Sequence, residues 1–181
     1  MQRAPLPGES PIWVLSMPVS ADTLRLQLDY SAWATRRLLD DAAELTAAER
    51  SRDFGTADRS VAGTLLHIFA ADRIWLTRVL GMGQPSHPGA DFEEINTLRE
   101  AWLSLGAEWK AWAETLSDAG ALQALSYRDL KGNPWQTPLW QIVLHVVNHA
   151  THHRGQVAGF LRTLGRKPPT LDLITYYRQM S

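Results

Sequence analysis

Leu144-His145-Val146-Val147-Asn148-His149-Ala150-Thr151-His152-His153-Arg154-Gly155-Gln156 holds four of the chain's six histidines within nine residues. The run contains no proline, and its apolar residues recur at helical spacing, so it reads as the middle of a long helix. Thr137 and Pro138 suit the N-cap and first helical position of that helix, and Gly165 suits its end after Leu164. Helix residues four apart lie about one turn above one another. His149 and His153 can therefore aim two imidazoles at one ion, and His145 extends the same stripe by a turn. Imidazole is the usual neutral nitrogen ligand for zinc, nickel, copper or iron. An H-x-x-x-H pair is half of a metal site, so the fold must bring a third ligand alongside.

Outward from this helix, the chain reads as helices separated by turn residues. Ser20-Ala21-Asp22-Thr23 opens a first helix that runs to about Leu45, with Leu24, Leu28, Trp33, Leu38 and Leu39 along one side. Thr46 to Asp58 is polar, contains Gly55 and reads as a loop or a short helical turn. A second helix spans about Ser60 to Leu80 and stops at Gly81-Met82-Gly83; residues 84–89, with two prolines, form a loop. A third helix spans about Phe92 to Leu116. Residues 121–138 look like two short extended pieces around Lys131-Gly132-Asn133-Pro134. After Pro168-Pro169, Leu171 to Met180 suits a short last helix. Residues 1–19 read as an irregular leader, within which Met17 is a second candidate start, and 20–181 as one domain. The pattern predicts an all-α fold, a four-helix bundle with a short C-terminal helix; such bundles build metal sites from side chains on facing helices.

Composition narrows the function. A net charge of −1 provides no basic field for nucleic acid. The chain has no cysteine, which removes disulfides, thiolate ligands and a cysteine nucleophile together and fits the cytoplasm. No apolar run approaches the roughly 20 residues that span a bilayer. Eight tryptophans favour tight packing or an apolar pocket.

Two histidines lie outside the cluster. His87, in a Pro-Ser-His-Pro loop, reads as solvated. His67 lies inside the second helix and is either a core or boundary residue or the partner of the pair on the fourth. With His149 and His153 it would make three nitrogen ligands and leave an open position, the pattern of catalytic rather than structural zinc. His145 reads as a supporting group, a general base at the pocket mouth or a fourth ligand. His152 is turned about 100° from its neighbours and suits packing or the surface. Asp72 reads either as a carboxylate orienting a ligand imidazole or as a solvated helix residue. Arg154 suits a salt bridge or a dimer contact better than a substrate clamp. Gly155 costs a helix interior about 1 kcal/mol relative to alanine, which close approach by another helix would explain. Trp33 or Trp75 is a candidate pocket wall.

Taken together, three stretches resemble the DinB/YfiT-like family: Leu65-Leu66-His67, Asn148-His149-x-x-His152-His153-Arg154-Gly155-Gln156, and Leu161-Arg162-x-x-Gly165-x-x-Pro168-Pro169-x-x-Asp172. Asp29-Tyr30-Ser31-Ala32-Trp33-Ala34 also matches the family's first helix, and Thr35 stands where many members have asparagine. The similarity spans about residues 20–180. It implies a long crossover between helices two and three, a divalent metal (often zinc or nickel) on His67, His149 and His153, and homodimers. With three ligands sufficient, His145 falls to a supporting or catalytic place at the mouth. Characterised relatives use low-molecular-weight thiols such as mycothiol or bacillithiol in isomerisation or S-transfer. The resemblance thus implies a metal-dependent thiol transferase acting on a small molecule. A metal-dependent hydrolase, or a non-catalytic metal-binding stress-response bundle, is the alternative.

Overall fold

A computed structural model describes residues 19–83 and 94–180, and every structural statement below concerns those residues. The leader, the His87 loop, the expected helix start at Phe92 and most of the link between the second and third long helices lie outside them. Seven helices and one hairpin are described: α1 (Ala21–Ala43), α2 (Ala47–Ser51), α3 (Val61–Val79), α4 (Ile95–Thr115), α5 (Asp118–Ala121), β1 (Ala124–Arg128), β2 (Pro134–Pro138), α6 (Leu139–Thr163) and α7 (Leu173–Met180). The fold is all-α, as the helical periodicity predicts.

The caps follow from side-chain chemistry. Ser20 Oγ accepts from Thr23 N at the start of α1, and Thr46 and Glu49 form a reciprocal capping box on α2. Ser60 Oγ accepts from Gly63 N at 3.0 Å to open α3. Glu94 caps α4 through Asn96 N and Thr97 N. At the end of α6, Gly165 takes φ +77°. Gly165 N donates to Arg162 O and Arg166 N to Leu161 O, both at 2.9 Å, closing the helix in a Schellman turn.

One boundary differs from the sequence expectation. Thr137 does not cap α6; it pairs with Leu125 in the antiparallel hairpin, and Pro138, with extended ψ, is the residue before the helix and makes no side-chain cap bond. Leu139 N donates instead to Gln123 O at 2.9 Å. The hairpin has claimed the residues a cap would use.

The four long helices share one core. α6 packs against both α1 and α3, and α4 packs against α1 and, less extensively, α3. Leu24 and Leu38 of α1, Leu65 and Ile68 of α3, Leu98 of α4, and Val143 and Val157 of α6 are almost wholly buried. Each such side chain contributes about 1.5–3 kcal/mol through removal from water. α7 folds back on α1, where Tyr176 packs against Tyr30 and Trp33 with ring centroids 5.9 and 5.5 Å apart. This frame fixes the α3–α6 seam, on which the histidines lie.

Candidate metal centre

His67 projects from α3, and His149 and His153 from successive turns of α6, into the seam between the two helices. The His67 and His149 Nε2 atoms are 3.0 Å apart. Ring centroids are 4.4 Å apart for His67 and His153 and 4.5 Å for His149 and His153. One ring nitrogen from each of the three lies within 4.8 Å of the others, a group that could hold a metal ion. All three histidines are only partly buried.

A carboxylate that the sequence reading missed stands behind two of these rings. Asp58 Oδ1 is 3.5 Å from His67 Nδ1, and Asp58 Oδ2 is 3.6 Å from His153 Nδ1. Its place depends on two backbone features. Arg59 adopts φ 63°, a left-handed conformation uncommon for a residue with a side chain. Asp53 holds it there, accepting from Arg59 Nε and Nη2 at 2.9 and 2.6 Å. Gly63 then lets the Asp58 backbone approach α3: a Cβ at Gly63 would lie 2.2 Å from the Asp58 carbonyl oxygen. A glycine three residues after a serine cap, inside an otherwise good helix, was the available signal. Gln156 Oε1 adds a contact at 2.8 Å to His153 Nδ1.

The donor set suits a divalent ion. Partners on the Nδ1 side of His67 and His153 favour the tautomer whose Nε2 carries a lone pair, the arrangement common behind metal-bound histidines. His149 is held to a low pKa of about 4, first by burial and then by the neighbouring imidazoles of His153, His67, His145 and His152. It is therefore neutral near pH 7 and able to donate a lone pair. Its Nδ1 is buried with no hydrogen-bond partner.

His145 lies outside this group. Its ring is 5.8 Å from that of His149 and sits edge-on to Trp75 at 5.5 Å, on the exposed side of α6. Burial of part of the ring lowers its pKa. Trp75 is braced by Tyr127 of the hairpin, 5.1 Å away, and by Arg78 over its face at 4.6 Å. Trp75 thus forms the wall beside His145, whereas Trp33 lies by α7. His152 is exposed and only edges against His153, in keeping with a surface place.

Three expectations are corrected. Arg154 is neither a dimer contact nor in an ion pair; it is 2 % exposed and turns into the core. Its guanidinium donates to Ser31 Oγ at 2.9 Å, Thr35 Oγ1 at 3.1 Å and Thr151 Oγ1 at 2.8 Å, and lies over the Tyr30 ring. Thr35, the departure from the family pattern, is thus one of its acceptors. Asp72 is neither solvated nor the orienting carboxylate; it is buried, and burial pushes its pKa up to about 7 against the lowering influence of Arg154. Five residues after His67, it faces another side of α3. Gly155 is exposed, and a Cβ there would meet nothing within 4 Å, so no helix among the described residues explains it.

Comparison with known proteins gives the chain's family. The DinB family model matches residues 17–180. The chain belongs to the DinB family. The protein DinB of Bacillus subtilis (strain 168) is 21% identical over 156 residues, covering 82% of this chain and 90% of that protein. The crystal structure of a DinB-like protein from Bacillus cereus ATCC 10987 superposes with a TM-score of 0.66 at 19% identity, covering 83% of this chain and 97% of that one. That likeness supports the fold. Among the described residues, no helix is long and apolar enough to cross a membrane.

Proposed function

We propose that this DinB-family protein is a metal-dependent enzyme that activates a low-molecular-weight thiol for transfer to a small electrophile, with zinc or nickel held by His67, His149 and His153. The observation that carries this reading is the convergence of three imidazoles from two helices, two of them backed by Asp58. A divalent ion on neutral imidazoles keeps its full charge and lowers the pKa of a bound thiol or water. The thiol must come from a cosubstrate, because the chain has no cysteine.

Each protein group then has a defined task. Asp58 holds the His67 and His153 rings by their Nδ1 sides, which keeps both Nε2 atoms directed into the seam. His145, neutral through its lowered pKa, is placed to accept a proton from a thiol or water arriving at the mouth. Trp75 and Tyr127 give that mouth an apolar wall, which shields a small electrophile from water. The hydrolase reading uses the same groups with water in place of the thiol. We also place the protein in the cytoplasm, as a homodimer, in line with its cysteine-free composition and its family.

Absorption spectroscopy of the cobalt-substituted protein tests the reading. Titration with bacillithiol or mycothiol is expected to produce a sulfur-to-cobalt charge-transfer band and, with an epoxide or haloarene, metal-dependent consumption of the electrophile. His145→Ala is expected to keep the metal and slow the reaction. Absence of the band with every thiol, alongside ester or amide cleavage, would replace the transferase reading with the hydrolase one.

A further inference from the structure

The α3–α6 seam does not end at the three histidines. Past them it continues to His145 and Trp75, and then to Arg78 and the hairpin. Arg78 follows His67 on nearly the same stripe of α3, about three turns further on. Long side chains on a helix lean toward its N-terminus. The Arg78 guanidinium carbon accordingly lies back over Trp75, 4.6 Å from the ring centre. That centre is 5.5 Å from the His145 ring, which is 5.8 Å from the His149 ring. The guanidinium therefore stands within about 10 Å of His145 and about 16 Å of His149.

The charges along this path are one-sided. Arg78 forms no ion pair among the described residues. Asp72 and Asp129 are the only carboxylates on α3, α6 and the hairpin. Asp72 is buried. Asp129 attracts Arg78 from a distance, but its oxygens are occupied by Lys131 N, Asn133 N and Nδ2, and Trp135 Nε1. Asp58 is committed to the Nδ1 sides of His67 and His153. Arg128 and Lys131 add further positive charge at the hairpin.

The guanidinium itself is held but not used up. It lies over the rings of Trp75 and Tyr127, at 4.6 and 4.9 Å, and Nη2 donates to Arg128 O at 3.1 Å. Nε is sealed, whereas Nη1 has no acceptor among the described residues and is not sealed. An arginine stacked on aromatic faces keeps its free N–H groups in a fixed plane, which matches a carboxylate. Bracing the hairpin needs only Nη2, and a partly buried cation is costly unless it meets an anion.

We propose that Arg78 is the specificity residue of the histidine site, and that the small molecule bound at the metal carries a carboxylate at its far end, which Arg78 holds. This rests on the metal-site reading given above and adds the substrate class. The distances require an elongated molecule: its metal-binding end lies at His67, His149 and His153, its middle passes His145 and Trp75, and its anion meets Nη1.

Calorimetric titration of the zinc-loaded full chain with matched ω-mercaptoalkanoates and ω-mercaptoalkanols, of three, six, eight and eleven carbons, tests the proposal. Suberic acid monohydroxamate and its amide repeat the comparison with a metal-binding end that is not a thiol. Among the longer compounds, the best carboxylate is expected to bind at least about tenfold more tightly than its alcohol. The three-carbon pair, too short to reach Arg78, is expected to show no such preference. Arg78→Met is expected to erase the preference, and Arg78→Lys, which restores a cation, to keep at least about threefold of it. Zinc content and alcohol affinity are expected to stay those of the wild type in both variants, which separates a lost cation from a disturbed site. Should Arg78→Met fail to fold, Arg78→Gln takes its place. A hydroxamate preference that depends on Arg78, with no thiol bound, would sink the thiol-transfer reading and uphold the carboxylate site. Equal binding of carboxylate and neutral partner at every length, a preference that survives loss of the Arg78 cation, or no saturable binding of any carboxylate up to about 1 mM would each overturn it.

Discussion

His153 and Arg154 are neighbours on α6, yet they serve polar clusters of opposite kind. His153 turns to the α3 side, where three imidazoles meet at a partly exposed seam; Asp58 faces the Nδ1 atoms of His67 and His153, Gln156 also meets His153 Nδ1, and the Nε2 atoms of His67 and His149 lie 3.0 Å apart. Arg154 turns to the α1 side, where a permanent cation is wholly enclosed and its donors find Ser31, Thr35 and Thr151. The first cluster keeps lone pairs available and is cheap to alter. The second leaves nothing available and fixes how α1 sits on α6. Burial by itself therefore does not mark the reactive site; the presence of accessible, uncommitted donor atoms does.

Arg154→Ala probes this contrast hardest. It removes a buried cation and leaves three hydroxyl acceptors without its donors, so a stability loss of about 2–4 kcal/mol is expected in denaturant unfolding. His149→Ala, without metal, is expected to change stability by less than about 1 kcal/mol, because it relieves crowding among partly exposed imidazoles. Equal losses would erase the distinction between the two clusters.

Asp72 sharpens it through pH. Its folded pKa of about 7 lies above the unfolded value of about 3.9, so the folded state binds the proton more tightly. The stability from this group is complete below about pH 4 and is lost as pH rises toward 7. Asp72→Asn, which cannot ionise, is therefore expected to gain on the wild type across that window, by on the order of 1–4 kcal/mol, and to level off above it. A gain that instead grows as pH falls would mean that Arg154 governs this carboxylate more than burial does.

The smallest expected effect belongs to Asp58. Asp58→Asn is expected to lower zinc affinity by about 10–100-fold while changing stability by less than about 1 kcal/mol. Gly63→Ala is expected to act in the same direction by pushing the Asp58 backbone away, with an added stability loss of about 1–2 kcal/mol. Calorimetric zinc titration and thermal unfolding of both variants check this. Unaltered affinity in both would leave Asp58 a bystander.

Much of this arrangement was legible in the sequence, for identifiable reasons. Helical periodicity and caps such as Ser20 and Ser60 are local signals, and they located the long helices closely. The His149–His153 spacing showed which residues share a stripe of α6, and the family resemblance pointed to His67, which the fold then brought alongside. Asp58 was not legible, because it reaches the rings through a left-handed residue and a glycine clearance that only the tertiary approach of loop and helix reveals. Arg154 and Asp72 were misread for a related reason: charged residues on long helices usually face water, and only the crossing of α1 over α6 shows that these two face inward. The cap of α6 was displaced by one residue, because strand pairing at Thr137 competed with capping and won.

Metal content measured by elemental analysis on purified wild type and on His67→Ala, His149→Ala, His153→Ala and His145→Ala tests the central claim most directly. The account predicts about one divalent ion per wild-type chain, loss from each of the first three variants, retention by His145→Ala, and an affinity in the wild type that falls as pH drops below the ordinary histidine value of about 6.5. Equal metal content in the wild type and the three histidine variants, or retention unchanged down to strongly acidic pH, would contradict it.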